Sequence, residues 1–382
     1  MMRISLFCEM QGGLENGVPN ARATFDETLE QAELADKVGF STFWLSEHHF
    51  TPGFALSSQP MMMLSAIAAR TKQIRLGCGV VVLPYHHPVH VAERIAYLDL
   101  LSHGRVEFGT GRGGVYEQTG MGVDPVKTRE MWRESLDCVR SIWQAYPENF
   151  EWEGKHWKVP PRVVVPQPIQ NMPKVWLASL QDESLMIAGE LGLGVLAFMP
   201  NPPSANKEPL ARYRSQIAKR VAEGQEVNNN WAAFVFSACA DDGKVARQTA
   251  DNAIRGFFAP GRPYAAAAAL VAQKLAESWG DNLPEDLRVH VSRFNPSGTG
   301  LGIAAVEGAE AIWNRVDPDT LAELGVTVAG NPEQCIAGLM LHEALGVDEI
   351  MLLVQAEGVS HAQSMETIRL IGEKVIPVFH NK

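Results

Sequence analysis

The densest run of proton-handling side chains is Glu47-His48-His49-Phe50, set directly after the apolar run Phe43-Trp44-Leu45. Imidazole changes charge near neutral pH, so a histidine here can act as a general base or acid. Neighbouring residues of an extended chain point opposite ways. One of the two histidines is therefore expected to face a cavity while the other packs underneath. The competing reading is a pair of loop histidines with ordinary hydrogen-bond partners. A second cluster, His86, His87 and His90, raises the question of a metal. Its spacing has neither the H-E-x-x-H nor the H-x-H form, so a polar helix start is expected there and no metal site is predicted.

The third group is cationic. Arg112 stands among Gly109, Gly111, Gly113 and Gly114. Glycine lets a backbone approach a ligand closely, and a guanidinium can hold a phosphate through two parallel hydrogen bonds. Arg129 opens a later helical pattern, and Asp182-Glu183-Ser184 opens another. Free amides at that helix start favour an anion, although the two carboxylates oppose one unless they turn away. Arg112, Arg129 and the amides near Ser184 make a phosphate site. Helix capping with surface arginines is the equal alternative on the residues alone.

Short β-rich runs must place these groups. Strands are predicted at Arg3–Phe7, Ser41–Leu45, Ile74–Val82, Arg105–Gly109, Lys174–Ala178, Gly194–Phe198, Ala232–Cys239 and Glu349–Val354. Each is followed by a helical pattern. The run over 74–82 is continuous and β-branched, as expected of a strand buried on both faces. Thr24-x-x-Glu27 has the form of a capping box, followed by Phe25, Leu29, Ala32, Ala35 and Val38 at helical spacing and a stop at Gly39. Pro60 and Pro88 open helices ending near Arg70 and Leu101. Eight alternating units predict an α/β fold, a single (β/α)₈ TIM barrel over residues 1–382. A barrel needs about 250 residues, so the surplus is assigned to a hairpin near 150–159 turning at Gly154 and to a lid-like insertion near 259–328. Gly109-x-Gly111-x-x-Gly114 also fits the dinucleotide fingerprint of an open doubly wound sheet. It follows the fourth strand rather than the first, and the next helical pattern begins only near 128. Functional groups of a barrel lie at the C-terminal ends of its strands, where Glu47–Phe50, Arg112 and Ser179–Ser184 all fall.

Composition narrows the function classes. The chain has 382 residues, 46% of them hydrophobic, with a formal net charge of −11. That balance argues against a nucleic-acid partner, which requires a basic face. No apolar run is long enough to cross a membrane. The start, Met1 to Phe7, reads as a strand rather than a secretory signal. Five widely spaced cysteines without a C-x-x-C pair are expected to be reduced thiols of a cytoplasmic protein.

The segments FSTFWLSEHHF (residues 40–50) and IRLGCGVVVLPYHHPVHVAERIAYLDLLSHGRVEFGTGRG (residues 74–113) resemble the bacterial luciferase-like flavin-dependent monooxygenases, nearest the luciferase α-chain type. The likeness continues through Thr128-Arg129, 178–192 and 330–335. It implies a (β/α)₈ barrel using reduced FMN, delivered by a separate flavin reductase, and O₂. Oxygenation of a small apolar or carbonyl substrate would proceed through a flavin C4a-hydroperoxide. By the same resemblance His48 is the catalytic histidine, a base and stabiliser beside the flavin. Cofactor contacts are implied for Glu47, Gly111, Arg112, Tyr116, Arg129, Ser179, Asp182 and Ser184, with a non-prolyl cis peptide at Gly79-Val80 under the flavin ring. Cys8, Phe50, Phe198 and Met199, with Phe7 and Val80, are expected to form the dry substrate pocket. Met61-Met62-Met63 is expected to be helix core. A homodimer is the family habit. Luciferase carries a reactive cysteine where this chain has Gly111, so light emission is not expected. The alternatives weighed are a deazaflavin-dependent dehydrogenase of the same superfamily, a flavin-binding protein without turnover and, more distantly, a metal-dependent hydrolase.

Overall fold

A computed structural model describes residues 1–12, 14–15, 18–179, 182–198, 200–259, 268–279 and 312–380. Eight parallel strands form the centre: β1 (Arg3–Cys8), β2 (Thr42–Leu45), β3 (Arg75–Val82), β4 (Val106–Gly111), β5 (Lys174–Ser179), β6 (Gly194–Ala197), β7 (Trp231–Cys239) and β8 (Glu349–Leu353). They pair in sequence order, and β8 returns to β1. The contact of Val195–Ala197 with Trp231–Ala233 joins β6 to β7 and completes the ring. The sheet is thus a closed barrel and not the open doubly wound alternative. A further short strand, Thr327–Gly330, extends from β7. It falls where the sequence reading placed the end of an insertion.

Alternation along each strand sorts side chains into two cores. Phe7, Trp44, Trp176, Leu196, Phe234, Met351 and Leu353 point into the barrel. Cys8, Leu45, Cys78, Val195 and Leu352 point outward against the helices. Two carboxylates organise the floor. Glu349 accepts from Ser5 Oγ and from Trp44 Nε1, each at 2.7 Å, and pairs with Arg3. Glu107 accepts from Arg75 Nε at 2.5 Å and from Trp176 Nε1 at 2.8 Å. The two indole rings meet edge to face at 5.4 Å. Buried indole N–H groups need such partners, and the pairs plug the lower end.

Helix α1 (Ala21–Val38) starts earlier than the Thr24 capping box predicts. Asn20 caps it by accepting from Ala23 N, and the Thr24 hydroxyl donates to the Asn20 carbonyl at 2.9 Å. Asparagine is an equally good N-cap, and a threonine one turn inside a helix bonds back to the carbonyl four residues earlier. Phe25, expected on the apolar stripe, is 42% exposed. Gly39 ends the helix in the left-handed region, with φ 92°. Helices α2 (Pro60–Arg70) and α3 (Pro88–Leu101) match expectation. In α2, Met61 and Met63 enter the core while Met62 faces out. A short helix, α4 (Val115–Gly120), follows the glycine run well before the pattern at 128 and was not predicted. Then come α5 (Thr128–Ala145), the hairpin of Phe150–Glu153 and Lys158–Arg162, and α6 (Asp182–Leu191). Gly154 N donates to Trp157 O across the hairpin turn at 2.9 Å.

Of the insertion near 259–328, Asn295–Gly300 lies outside the described residues. The described part contains a helix at Ala268–Trp279 and another at Pro318–Glu323. Val271, Ala272, Leu275 and Trp313 join Phe257 and Phe258 in the apolar cluster that runs into the barrel interior. Among the described residues no helix is long and apolar enough to cross a membrane. The five cysteines are free and buried.

Candidate active site

A cavity of 1030 Å³ opens at the C-terminal ends of the strands. Its wall includes Glu47, His48 and Phe50 after β2, Gly79 and Val80 in β3, and Gly111 and Arg112 at the end of β4. Tyr116, Arg129, Ser184 and Phe198 complete the set that the sequence singled out. The peptide Gly79–Val80 is cis.

Four expected members stand elsewhere or are not described. Cys8 is one residue past inward-facing Phe7, so strand alternation turns it outward. Its thiol donates to Gln355 Oε1 at 3.1 Å, and burial pushes its pKa up to about 12. Cys8 is therefore not a cavity residue. Ser179, likewise outward, lines a second cavity of 730 Å³ beside Ala197 and Trp231. Asp182 begins α6, and nothing is described of its side chain. Met199 lies outside the described residues.

His48 lines the cavity as expected, but with partners the sequence did not foretell. Its Nε2 lies 3.1 Å from Glu9 Oε2 and its Nδ1 lies 3.0 Å from Glu117 Oε1. Both carboxylates are buried. Burial disfavours an imidazolium, but the Glu9 charge and the Glu117 hydrogen bond outweigh it, and the pKa rises to about 10. The two carboxylates thus favour the protonated imidazole. Glu117, its carboxyl desolvated yet hydrogen-bonded to His48, stays below the ordinary carboxylate range. Glu9 and Glu117 were missed. Glu9 directly follows β1 and Glu117 sits on the unforeseen α4, far from His48 in sequence. The available signal was positional: an acidic residue directly beyond an inward-facing strand end.

Glu47 serves His49 rather than His48. Its Oε1 lies 3.0 Å from His49 Nε2 and 2.7 Å from His86 Nε2, and its Oε2 accepts from Val82 N at 2.9 Å. Burial opposes its charge, but these donors hold the carboxyl below its ordinary range. Adjacent histidines thus diverge, as alternation predicts. His86 is spent on Glu47, while the His87 side chain caps α3 by accepting from Val89 N. Among the described residues no group of His, Cys, Asp or Glu could hold a metal.

Two arginines, Arg112 and Arg129, line the same cavity. Arg112 makes no side-chain hydrogen bond or ion pair with any described residue, and its backbone carbonyl is held by Gln118 Nε2 at 3.0 Å. Burial and the nearby Arg129 lower its pKa. Gly113 has φ 71°, and a Cβ there would sit 2.1 Å from Tyr85 Oη, so only glycine fits. Arg129 is held in a two-pronged ion pair by Glu183, with 2.7 Å between Nη2 and Oε2. Glu183 does not turn away from the arginines, contrary to what an empty phosphate seat would require.

A family model described as luciferase-like monooxygenase matches residues 2–349. Limonene 1,2-monooxygenase of Rhodococcus erythropolis is 28% identical over 368 residues, 94% of this chain and 83% of that protein. The oxygenase component of a flavin-dependent trigonelline monooxygenase from Acinetobacter baylyi is 26% identical over 261 residues, 67% of this chain and 70% of that protein. Among solved structures, the oxygenating constituent of 3,6-diketocamphane monooxygenase from Pseudomonas putida, a type II Baeyer-Villiger monooxygenase in complex with FMN, superimposes with a TM-score of 0.70 at 21% identity, covering 98% of each chain. A coenzyme F420-dependent tetrahydromethanopterin reductase from Methanopyrus kandleri reaches 0.68 at 19% identity over 99% of each chain.

Proposed function

Because this chain belongs to the luciferase-like monooxygenase family, a family of flavin-dependent oxidoreductases, we propose that it is the oxygenase component of a two-component FMN-dependent monooxygenase. The observation that carries this reading is a half-buried Arg112, without a side-chain partner among the described residues, lining the same cavity as His48, which stands between two carboxylates. A cation with no partner among the described residues, beside backbone that only glycine can form, suits a phosphate monoester. Arg112 would bind that phosphate, with Arg129 and the first turn of α6 at Ser184 completing the seat once Glu183 yields. Gly79-Val80, Glu47, Gly111 and Tyr116 would border the ring system.

Reduced FMN, when bound, supplies the two electrons with which O₂ is split between substrate and water. His48, with Glu9 at Nε2 and Glu117 at Nδ1, would hold or pass on a proton beside the ring system. Phe7, Phe50, Phe54, Val80 and Phe198 exclude water from the same space. Their chemistry suits a small neutral organic substrate with a large apolar surface, a hydrocarbon ring or a ketone. The relative named as an oxygenase component supports a flavin reductase partner. A homodimer would form on α2 and α3, where Met62, Tyr97 and Leu101 are 72%, 60% and 56% exposed. Free buried thiols accord with the cytoplasm.

Anaerobic mixing with photoreduced FMN, followed by O₂ in a stopped-flow, tests the reading. The expected result is tight binding of reduced FMN and a transient absorbance distinct from both the reduced and the oxidised flavin. Oxidation at the rate of free flavin, with no binding, refutes it. A second reading, a deazaflavin-dependent dehydrogenase, draws on the F420-dependent neighbour. Hydride transfer to F420 with no response to FMN would establish that reading instead.

A further inference from the structure

Two adjacent side chains of α4 face different parts of the site. Gln118 Nε2 donates to the carbonyls of Arg112 and Gly113 at 3.0 and 2.9 Å. Glu117 Oε2 accepts from Gly114 N at 3.3 Å, so the helix grips the backbone of the arginine loop along three successive residues. The other oxygen of Glu117 reaches across to the histidine loop. Oε1 lies 3.0 Å from His48 Nδ1 and accepts from His49 N at 2.8 Å. Both side chains are buried. The loop after β2 and the loop after β4 therefore meet at one carboxylate, 69 residues from His48 in the chain.

We propose that α4 is a bracket, and that Glu117 is a positioning residue through which an anion seated at Arg112 is coupled to the protonation of His48. This inference rests on the reading of Arg112 as a phosphate ligand. An anion on the guanidinium fixes the Arg112–Gly114 backbone. That backbone fixes the first turn of α4, and the turn sets where the Glu117 carboxylate meets the imidazolium. Coupling of this kind is reciprocal, so protonation of His48 must favour anion binding by the same factor. An empty seat would then hold its proton less firmly than a filled one.

Groups from several elements face His48. Glu9 approaches Nε2 from beyond β1, Glu117 approaches Nδ1 from α4, and the edge of the Phe54 ring packs at 5.5 Å. Behind them lie Tyr85 and the Glu47 cluster with His49 and His86. Glu117 is bonded both to His48 and to the arginine loop.

The substitution Glu117→Gln separates the two functions of that side chain. An amide oxygen can keep the bonds at the Oε1 position, but an NH₂ group then confronts the Gly114 N–H, donor against donor. The carboxylate charge is lost as well. Glu117→Asp keeps the charge on a shorter arm and serves as the second variant.

The experiment follows the His48 ring resonances by NMR through a pH titration, with and without saturating inorganic phosphate. The His48 signals are assigned by their loss in His48→Asn. In the unsubstituted protein phosphate is expected to raise the His48 midpoint. In Glu117→Gln the midpoint is expected to fall by about 1–3 units, the usual effect of removing an adjacent opposite charge, and to respond no longer to phosphate. Glu117→Asp should recover part of the response. A purely through-space effect of phosphate would survive Glu117→Gln unchanged, and that result overturns the bracket. So does a midpoint in the unsubstituted protein that ignores phosphate while phosphate binds. Failure of phosphate to bind at all refutes the reading of Arg112 instead, so the two failures are distinguishable without flavin.

Discussion

Replacing Arg112 by alanine should weaken FMN far more than riboflavin, which differs only in lacking the phosphate. The guanidinium is half-buried and has no described partner to lose, so the substitution leaves no orphaned acid behind. A hydrogen bond to a charged group contributes about 1.5–3 kcal/mol. With tenfold in affinity per about 1.4 kcal/mol, the expected loss for FMN is roughly 10- to 150-fold. Riboflavin should change by no more than about twofold, within the usual effect of a substitution away from special features. Arg112→Lys should fall between, because a lysine keeps the charge but not the planar fork. Arg129→Ala should cost less than Arg112→Ala, since Arg129 already spends its fork on Glu183 and both side chains are largely in solvent. Anaerobic titration calorimetry with reduced FMN and reduced riboflavin measures each affinity directly. Equal losses for the two flavins would refute the phosphate assignment and return Arg112 to an ordinary loop cation.

Stability should vary with pH in two steps of opposite sign. His48 is raised from 6.5 to about 10, so its contribution is complete below pH 6.5 and disappears as the pH rises through about 10. Glu47 and Glu117 are held below 4.5, so theirs is complete above that value and is lost as the pH falls through their lowered pKa values. Calorimetric Tm values across that range check both limbs, and His48→Gln should flatten the alkaline one. The same variant leaves Glu9 and Glu117 buried without their cation and should lose about 3–5 kcal/mol in urea unfolding; a loss under about 1 kcal/mol would mean that the carboxylates are already neutral. Gly109→Ala sets a Cβ 2.1 Å from the Cys78 carbonyl oxygen and 2.9 Å from Leu196 Cδ1, inside the barrel wall. It should abolish soluble expression or lower Tm sharply, and an unchanged Tm would contradict the register of β3 on β4. Leu101→Lys should convert the proposed dimer to a monomer in sedimentation equilibrium without changing FMN affinity.

The barrel was legible because each central strand is covered on both faces and so reads as a short apolar run between turn residues. His48, Phe50, Arg112 and Arg129 could be gathered because a barrel carries its groups at one rim. The rest failed for specific physical reasons. Phe7 and Cys8 differ by one residue, and one residue reverses the face of a strand. Helix α4 is a single short stretch with Val115 and Tyr116 exposed, so it carries no apolar stripe to announce it. Glu9 and Glu117 act on His48 only after folding, and no local spacing ties residues so distant. The carboxylates that raise the proton affinity of His48 were therefore not legible beside it, since an isolated imidazole titrates near pH 6.5. Asn20 and Thr24 both suit a helix start, and which one caps depends on where α1 first packs.

The tryptophan-and-carboxylate floor also bears on traffic. Trp44, Trp176, Glu107 and Glu349 fill the lower barrel, so the chamber above it has a closed end. On the proposed reading, a flavin, a substrate and a gas molecule would then enter from the rim side. Whatever lies deepest must arrive first and depart last. Such a vessel would impose a queue, and the steady-state signature of a queue is an obligatory order of addition with inhibition when the later guest enters early.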